Sequence, residues 1–293
     1  DLFTNEVFIW GYIHVILASL LTGAIVMLAV SAWQMRHRSD GGLFKRSAAL
    51  AIVVLVPVSI VILLVGSHLG VIEATYQPMK IAAAEAQWET CQPCSFSAFQ
   101  IGGGNNDENP TQIIEIPHLL SVLATGTWNG EVVGLNELQA QYEQQYGPGN
   151  YIPNVFIQYW SMRLMAYLGA LIPLLALWGV WLLRRGTLQR SRLFLTVATY
   201  AVITPFLMNT AGWMLTENGR QPWIVQGLMK TADGVSPSVT TTALVISLIA
   251  FGLLYIALAA VDIFLMTRYA RRGLELNDLL RAIGVDDPSF AQA

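Results

Sequence analysis

Charge is what this sequence has least of: 12% of its 293 residues are Asp, Glu, Lys or Arg, while 54% are hydrophobic. Soluble globular chains carry about twice that charged fraction, so the composition excludes a soluble domain and leaves a multi-pass membrane protein. Cations are in no surplus, 16 Lys and Arg against 19 Asp and Glu for a net charge of -3, and nothing is basic enough to follow a phosphate backbone, which excludes nucleic acid as a partner. Cysteine is nearly absent. Cys91 and Cys94 are the only two; a zinc site needs more ligands than one pair supplies, and no βαβ pattern supports a thioredoxin-like motif. Internal repeats are lacking, and with them the usual plan of a transporter, whose site lies near the midplane between repeats. The sequence opens at Asp1 without an initiator methionine or a signal-peptide pattern, so it is expected to be a piece of something longer.

What is present is a set of five apolar runs, each long enough for the roughly 20 residues that cross a bilayer. They cover about 5–35, 48–71, 155–183, 193–215 and 239–266. Pro205 interrupts the fourth and removes a backbone donor there, which predicts a kink. Three short basic clusters, Arg36 to Arg46, Arg184 to Arg192 and Arg268 to Arg272, fall on one side of this up-and-down chain. The positive-inside rule makes that side cytoplasmic. The expected fold is therefore all-α, a polytopic transmembrane bundle of five spans with the N-terminus outside and the C-terminus cytoplasmic. Its parts are a hairpin of two spans (1–71), an extracytoplasmic loop (72–153), three further spans (154–272) and a cytoplasmic tail (273–293). The loop is acidic, with Lys80 its single cation, and is too long for a mere connector. Within it, 78–90 reads as a short amphipathic helix with Lys80 and Glu85 near its start, and 102–110 as a flexible Gly- and Asn-rich excursion. In an oxidising compartment Cys91 and Cys94 form either a local disulfide, the preferred reading, or a pair of free thiols.

Several polar side chains sit where an apolar span makes them costly. His14 lies nine residues into the first run and Met165 eleven into the third, about 15 Å from the outer face at ~1.5 Å per residue. Imidazole and thioether together suit a six-coordinate haem iron, and Arg163 beside them suits a propionate. Each also has a plainer reading, His14 as a hydrogen bonder between helices and Met165 as packing. Glu217, at the end of the fourth run, is either a ligand or the partner of Arg220 three residues on. Trp10, Trp160, Trp213 and Trp223 fit an interfacial belt.

Four stretches in order look like one known family. Tyr12-Ile13-His14 with Thr22-Gly23-Ala24 and Ser31-Ala32-Trp33, Lys80-Ile81-Ala82-Ala83-Ala84-Glu85-Ala86-Gln87-Trp88, Tyr159-Trp160-Ser161-Met162-Arg163-Leu164-Met165, and Trp213 through Trp223 resemble subunit I of the cytochrome bd type quinol oxidases. The resemblance implies a low-spin haem b held by His14 and Met165 near Arg163. It also implies a high-spin haem b ligated by Glu217 within the segment of Trp213 and Arg220, and a quinol loop in which Lys80 and Glu85 serve quinol oxidation. It implies a terminal oxidase in a bacterial or archaeal cytoplasmic membrane, with subunit II and a small accessory subunit as partners. The family's four upstream helices, which carry the haem d ligand, have no counterpart in this sequence, so either a longer subunit or a split companion chain is expected. His68 stands where the family leads one to expect an acid. The alternative function is a membrane b-type electron-transfer cytochrome without oxygen reduction.

Overall fold

The computed structural model describes residues 3–37 and 41–271; the expected tail and residues 38–40 of the first basic loop lie outside the described residues. The chain divides after Val235 into two compact units. In the first, α1 (Glu6–His37) and α2 (Gly41–Tyr76) form the hairpin, and α3 (Pro78–Ala84) opens the loop. Strands β1 (Phe96–Ile101) and β2 (Thr111–Ile116), then α4 (Leu119–Thr125) and α5 (Leu135–Tyr146), complete it. There follow α6 (Val155–Arg184), α7 (Arg192–Tyr200), α8 (Thr204–Gly219) and a small hairpin of β3 (Trp223–Val225) and β4 (Met229–Lys230). The second unit holds α9 (Thr241–Arg271), with Arg268 and Arg271 in its last turn.

Among the described residues, five helical segments are long and apolar enough to cross a membrane, in the places the apolar runs indicate. The kink expected at Pro205 is a true break: a 3-10 turn over Ala201–Ile203 separates α7 from α8. Pro205 sits in the first turn of α8, where its missing N–H has no helical acceptor to lose. The bundle core is apolar, built from Leu21, Ile25 and Leu28 of α1, Ile52 and Leu55 of α2, Ile172 and Ala176 of α6, and Phe194 of α7. Gly179 lets α6 close on α2, since a Cβ there would come within 2.8 Å of Ile52 Cδ1.

Two expectations for the loop are corrected, and with them the all-α class, because the chain is mainly rather than wholly helical. Residues 102–110 are not a loose excursion; they turn between antiparallel β1 and β2, which pair Phe96 with Ile116 and Ile101 with Thr111. Gly102, Gly103, Asn105 and Asn106 take positive φ there, the conformation these residue types tolerate best. Asn106 fastens the turn to the start of α6, accepting from Val155 N at 2.9 Å and donating to Pro153 O at 3.1 Å. Nor does 78–90 form an amphipathic helix. Helix α3 ends at Ala84, and Met79 to Ala84 are all buried, because α3 packs against α2, α5, α6 and α8. Tyr142, Tyr151, Tyr159, Trp88 and Trp223 enclose it in a second core. A disulfide joins Cys91 to Cys94, with Cα atoms 5.2 Å apart, as preferred from the sequence.

Candidate functional site

Helices α1, α2 and α6 have 32, 36 and 30 residues. At ~1.5 Å per residue they measure about 48, 54 and 45 Å, well beyond a ~30 Å hydrocarbon slab. Counting about 20 residues from their basic ends reaches the neighbourhood of His14 in α1 and Arg163 in α6. These residues therefore lie at the loop-side border of the slab, shallower than the sequence count suggested, because the helices overhang on the loop side.

Under the loop lie two ion pairs, of which Glu85 with Arg163 is withdrawn from water and Lys80 with Glu73 only on the lysine side. Lys80 Nζ donates to Glu73 Oε1 at 2.7 Å, and Lys80 is 4% exposed. Glu85 caps the C-terminus of α3 and accepts from Arg163 Nη2 at 2.6 Å. Arg163 is 1% exposed. Its Nε and Nη2 donate to Ser97 O at 3.2 and 2.7 Å, its Nη1 donates to Ala84 O, and its guanidinium lies 3.7 Å from the Tyr159 ring centroid. Every one of these partners belongs to the loop or to α6, so the arginine expected at a propionate is turned toward the loop. Burial pushes the Glu85 carboxyl above the usual carboxylate range, and the Arg163 charge and hydrogen bond oppose that rise. Lys80 and Glu85, the two residues expected to serve quinol oxidation, thus face different partners. Sequence reasoning counted Glu73 only as loop charge; the signal for it was that Lys80 is the loop's single cation, seven residues from an acid.

His14 stands against α2, with Cε1 3.4 Å from the place a Cβ on Gly66 would take. Its Nδ1 is buried without a protein partner. Met165 Sδ faces α8 in the same way, 3.2 Å from where a Cβ on Gly212 would lie. Helices α1 and α8 pack together, and Asn209 Nδ2 lies 3.4 Å from Thr22 Oγ1 across them. Each glycine space is thus filled by the side chain opposite it, His14 against α2 and Met165 against α8; the orphaned imidazole nitrogen is the feature that fits a prosthetic group. Of the two readings open for Glu217, the structure shows the ion pair: Arg220 Nη2 donates to Glu217 Oε2. The carboxylate is 29% exposed and the guanidinium 43%, and Arg220 Nε remains buried without a partner. Trp213 is exposed, whereas Trp223 is buried and stacks on Tyr151 at 5.7 Å. His68 meets the edge of Trp10 at 4.5 Å.

Residues 1–274 match the family model of cytochrome bd terminal oxidase subunit I. The chain belongs to that family. Cytochrome bd ubiquinol oxidase subunit 1 of Bacillus subtilis is 39% identical over 292 residues, which are 99% of this chain and 62% of that protein. Cytochrome bd-II ubiquinol oxidase subunit 1 of Escherichia coli is 27% identical over 330 residues, covering 93% of this chain and 64% of its own length. Among solved structures, the bd oxidase from Geobacillus thermodenitrificans superimposes with a TM-score of 0.76 at 28% identity, over 89% of this chain and 57% of that one. The chain thus spans less than two thirds of the length of these cytochrome bd relatives.

Proposed function

We propose that this chain is the haem-bearing five-span part of subunit I of a cytochrome bd type quinol oxidase. It would lie in a bacterial cytoplasmic membrane with the loop outside and the basic helix ends in the cytoplasm. The observation that carries this reading is the buried salt bridge of Glu85 with Arg163 under the loop, beside the partly exposed pair of Lys80 with Glu73. Buried charges of this kind do little for stability beyond what apolar packing would give, and carboxyls held above their usual range cluster at functional sites.

In this reading Glu85 accepts a hydroxyl proton from quinol, and Lys80 donates a hydrogen bond to the head group. Arg163 keeps enough of Glu85 ionised to act as a base despite its burial, and Ser97 O and Ala84 O hold the guanidinium in place for it. Glu73 fixes Lys80 until substrate competes for the ammonium. His14 and Met165 would hold a low-spin haem b, Glu217 a high-spin haem b, and Arg220 a propionate after releasing Glu217. Bound there, haem supplies one-electron redox chemistry. The haem d ligand and oxygen reduction belong, by family likeness, to helices upstream of the matched part, and subunit II is the expected partner.

The test is quinol oxidation by the assembled enzyme carrying Lys80→Ala or Glu85→Gln. Turnover or quinol affinity should fall at least tenfold while the haem spectrum stays parental. Parental kinetics in both variants would remove the loop as the donor site. The second reading, an electron-transfer cytochrome without oxygen reduction, is separated by the visible spectrum: b haem bands without a haem d band favour it.

A further inference from the structure

Gly219 ends α8 in helical conformation, so no unusual φ requires a glycine there. Space requires it. A Cβ at this position would lie 2.2 Å from Gln158 Nε2 and 2.6 Å from Lys80 Cγ, distances no real Cβ tolerates. Two elements far apart in sequence therefore converge on one missing side chain: the stem of the lysine from α3, and a glutamine from α6.

Gln158 is fully buried and joins the last turn of α8 to the first turns of α6. Its Nε2 donates to Leu215 O at 2.9 Å and its Oε1 accepts from Asn218 Nδ2 at 3.0 Å. Asn218 Nδ2 also donates to Asn154 O at 2.9 Å, the residue that caps α6. The Lys80 stem rests on this junction while its ammonium reaches Glu73 on α2. The cation is thus held at both ends, its head by an acid and its stem by a gap in α8.

We infer that Gly219 is a positioning residue of the donor site: it seats Lys80, and through that contact couples the quinol loop to the turn bearing Glu217 and Arg220. This rests on the reading of the loop as the donor site. Forcing an atom into the seat must lift α3, push the glutamine aside, or both, and overpacking of this kind is felt well beyond one residue.

The experiment uses the complete, haem-loaded enzyme with Gly219→Ala, Lys80→Ala and the double variant. It measures steady-state quinol kinetics, the reduced haem spectrum and amide hydrogen exchange over 79–85. Gly219→Ala should raise the quinol KM roughly fivefold or more, speed exchange in α3 and leave the b haem spectrum parental. In the Lys80→Ala background the added atom still meets Gln158 but no longer the lysine stem, so the KM effect carried by the seat should vanish while any shift of the junction shows only in exchange over 154–158. Effects of the two substitutions that multiply would overturn the seat, as would unchanged exchange in Gly219→Ala. Should Gly219→Ala fail to assemble, Asn218→Ala loosens the same junction without adding an atom, and its KM effect should likewise vanish without Lys80. Parental kinetics in Lys80→Ala and Glu85→Gln alike would sink the donor-site reading instead; the seat then stands if α3 exchange is faster in Gly219→Ala and falls if it is not.

Discussion

Replacing Arg163 with methionine removes the guanidinium that faces Glu85 and keeps a long apolar side chain against Tyr159 and Phe96. Two costs follow, and they differ in pH dependence. Ser97 O and Ala84 O lose their donors, at about 1–3 kcal/mol whatever the pH. Glu85, buried without its cation, protonates rather than remain charged. Lifting a carboxyl from an ordinary value near 4.5 to neutrality at pH 7 costs about 3.4 kcal/mol at ~1.4 kcal/mol per pH unit; at pH 5 the same step costs only ~0.7 kcal/mol. In sign, the closed loop of the variant binds a proton that the opened loop releases, so its stability falls as pH rises above the ordinary glutamate value. Limited proteolysis of the loop in the intact enzyme reads this opening when reclosing is fast. Relative to the parent, whose own Glu85 is already raised by burial, the pH-dependent part should speed cleavage by at most roughly 300-fold at pH 7 and at most about threefold at pH 5. In a Glu85→Gln background the dependence on pH should disappear. An acceleration of equal size at both pH values would refute the buried pair as the element that closes the loop.

Met165→Leu should keep the fold and alter the reduced low-spin haem spectrum and its potential, and His14→Ala should lose that haem more completely; parental spectra in both would leave only packing roles. Glu217→Ala should perturb the high-spin b signal and spare the low-spin one, and a parental high-spin spectrum in the assembled enzyme would reduce Glu217 to the ion-pair partner of Arg220. Serine at both Cys91 and Cys94 should destabilise the loop by about 2 kcal/mol, the chain-entropy value for so short a ring, read as faster proteolysis; loss of haem from that variant would contradict a purely local disulfide.

The spans were legible because a bilayer imposes length and apolarity on each one, and the break at Pro205 because a missing donor acts locally. The loop was harder. Phe96 to Ile101 and Thr111 to Ile116 flank a glycine-rich turn, a fair hairpin signal, but the many glycines and asparagines between them read equally as looseness until Asn106 is seen fastening α6. Lys80 and Glu85 could be singled out, yet not paired: Arg163 lies 78 residues from Glu85, and only packing decides which acid a buried guanidinium meets. The closing of Arg220 on Glu217 was one of two readings open from their spacing. Gly219 could not be singled out, since a close approach between elements leaves no mark in either one alone.

The Arg163 contact also sets an order of events during synthesis. Glu85 leaves the ribosome 78 residues before its guanidinium, a delay of roughly 4–16 s at 5–20 residues per second. Gly219 and Trp223, which close over Lys80 and Tyr151, are made later still. Through that interval the hairpin of α1 and α2 can already insert, while the loop has neither its arginine nor its seat, and its acid remains in water.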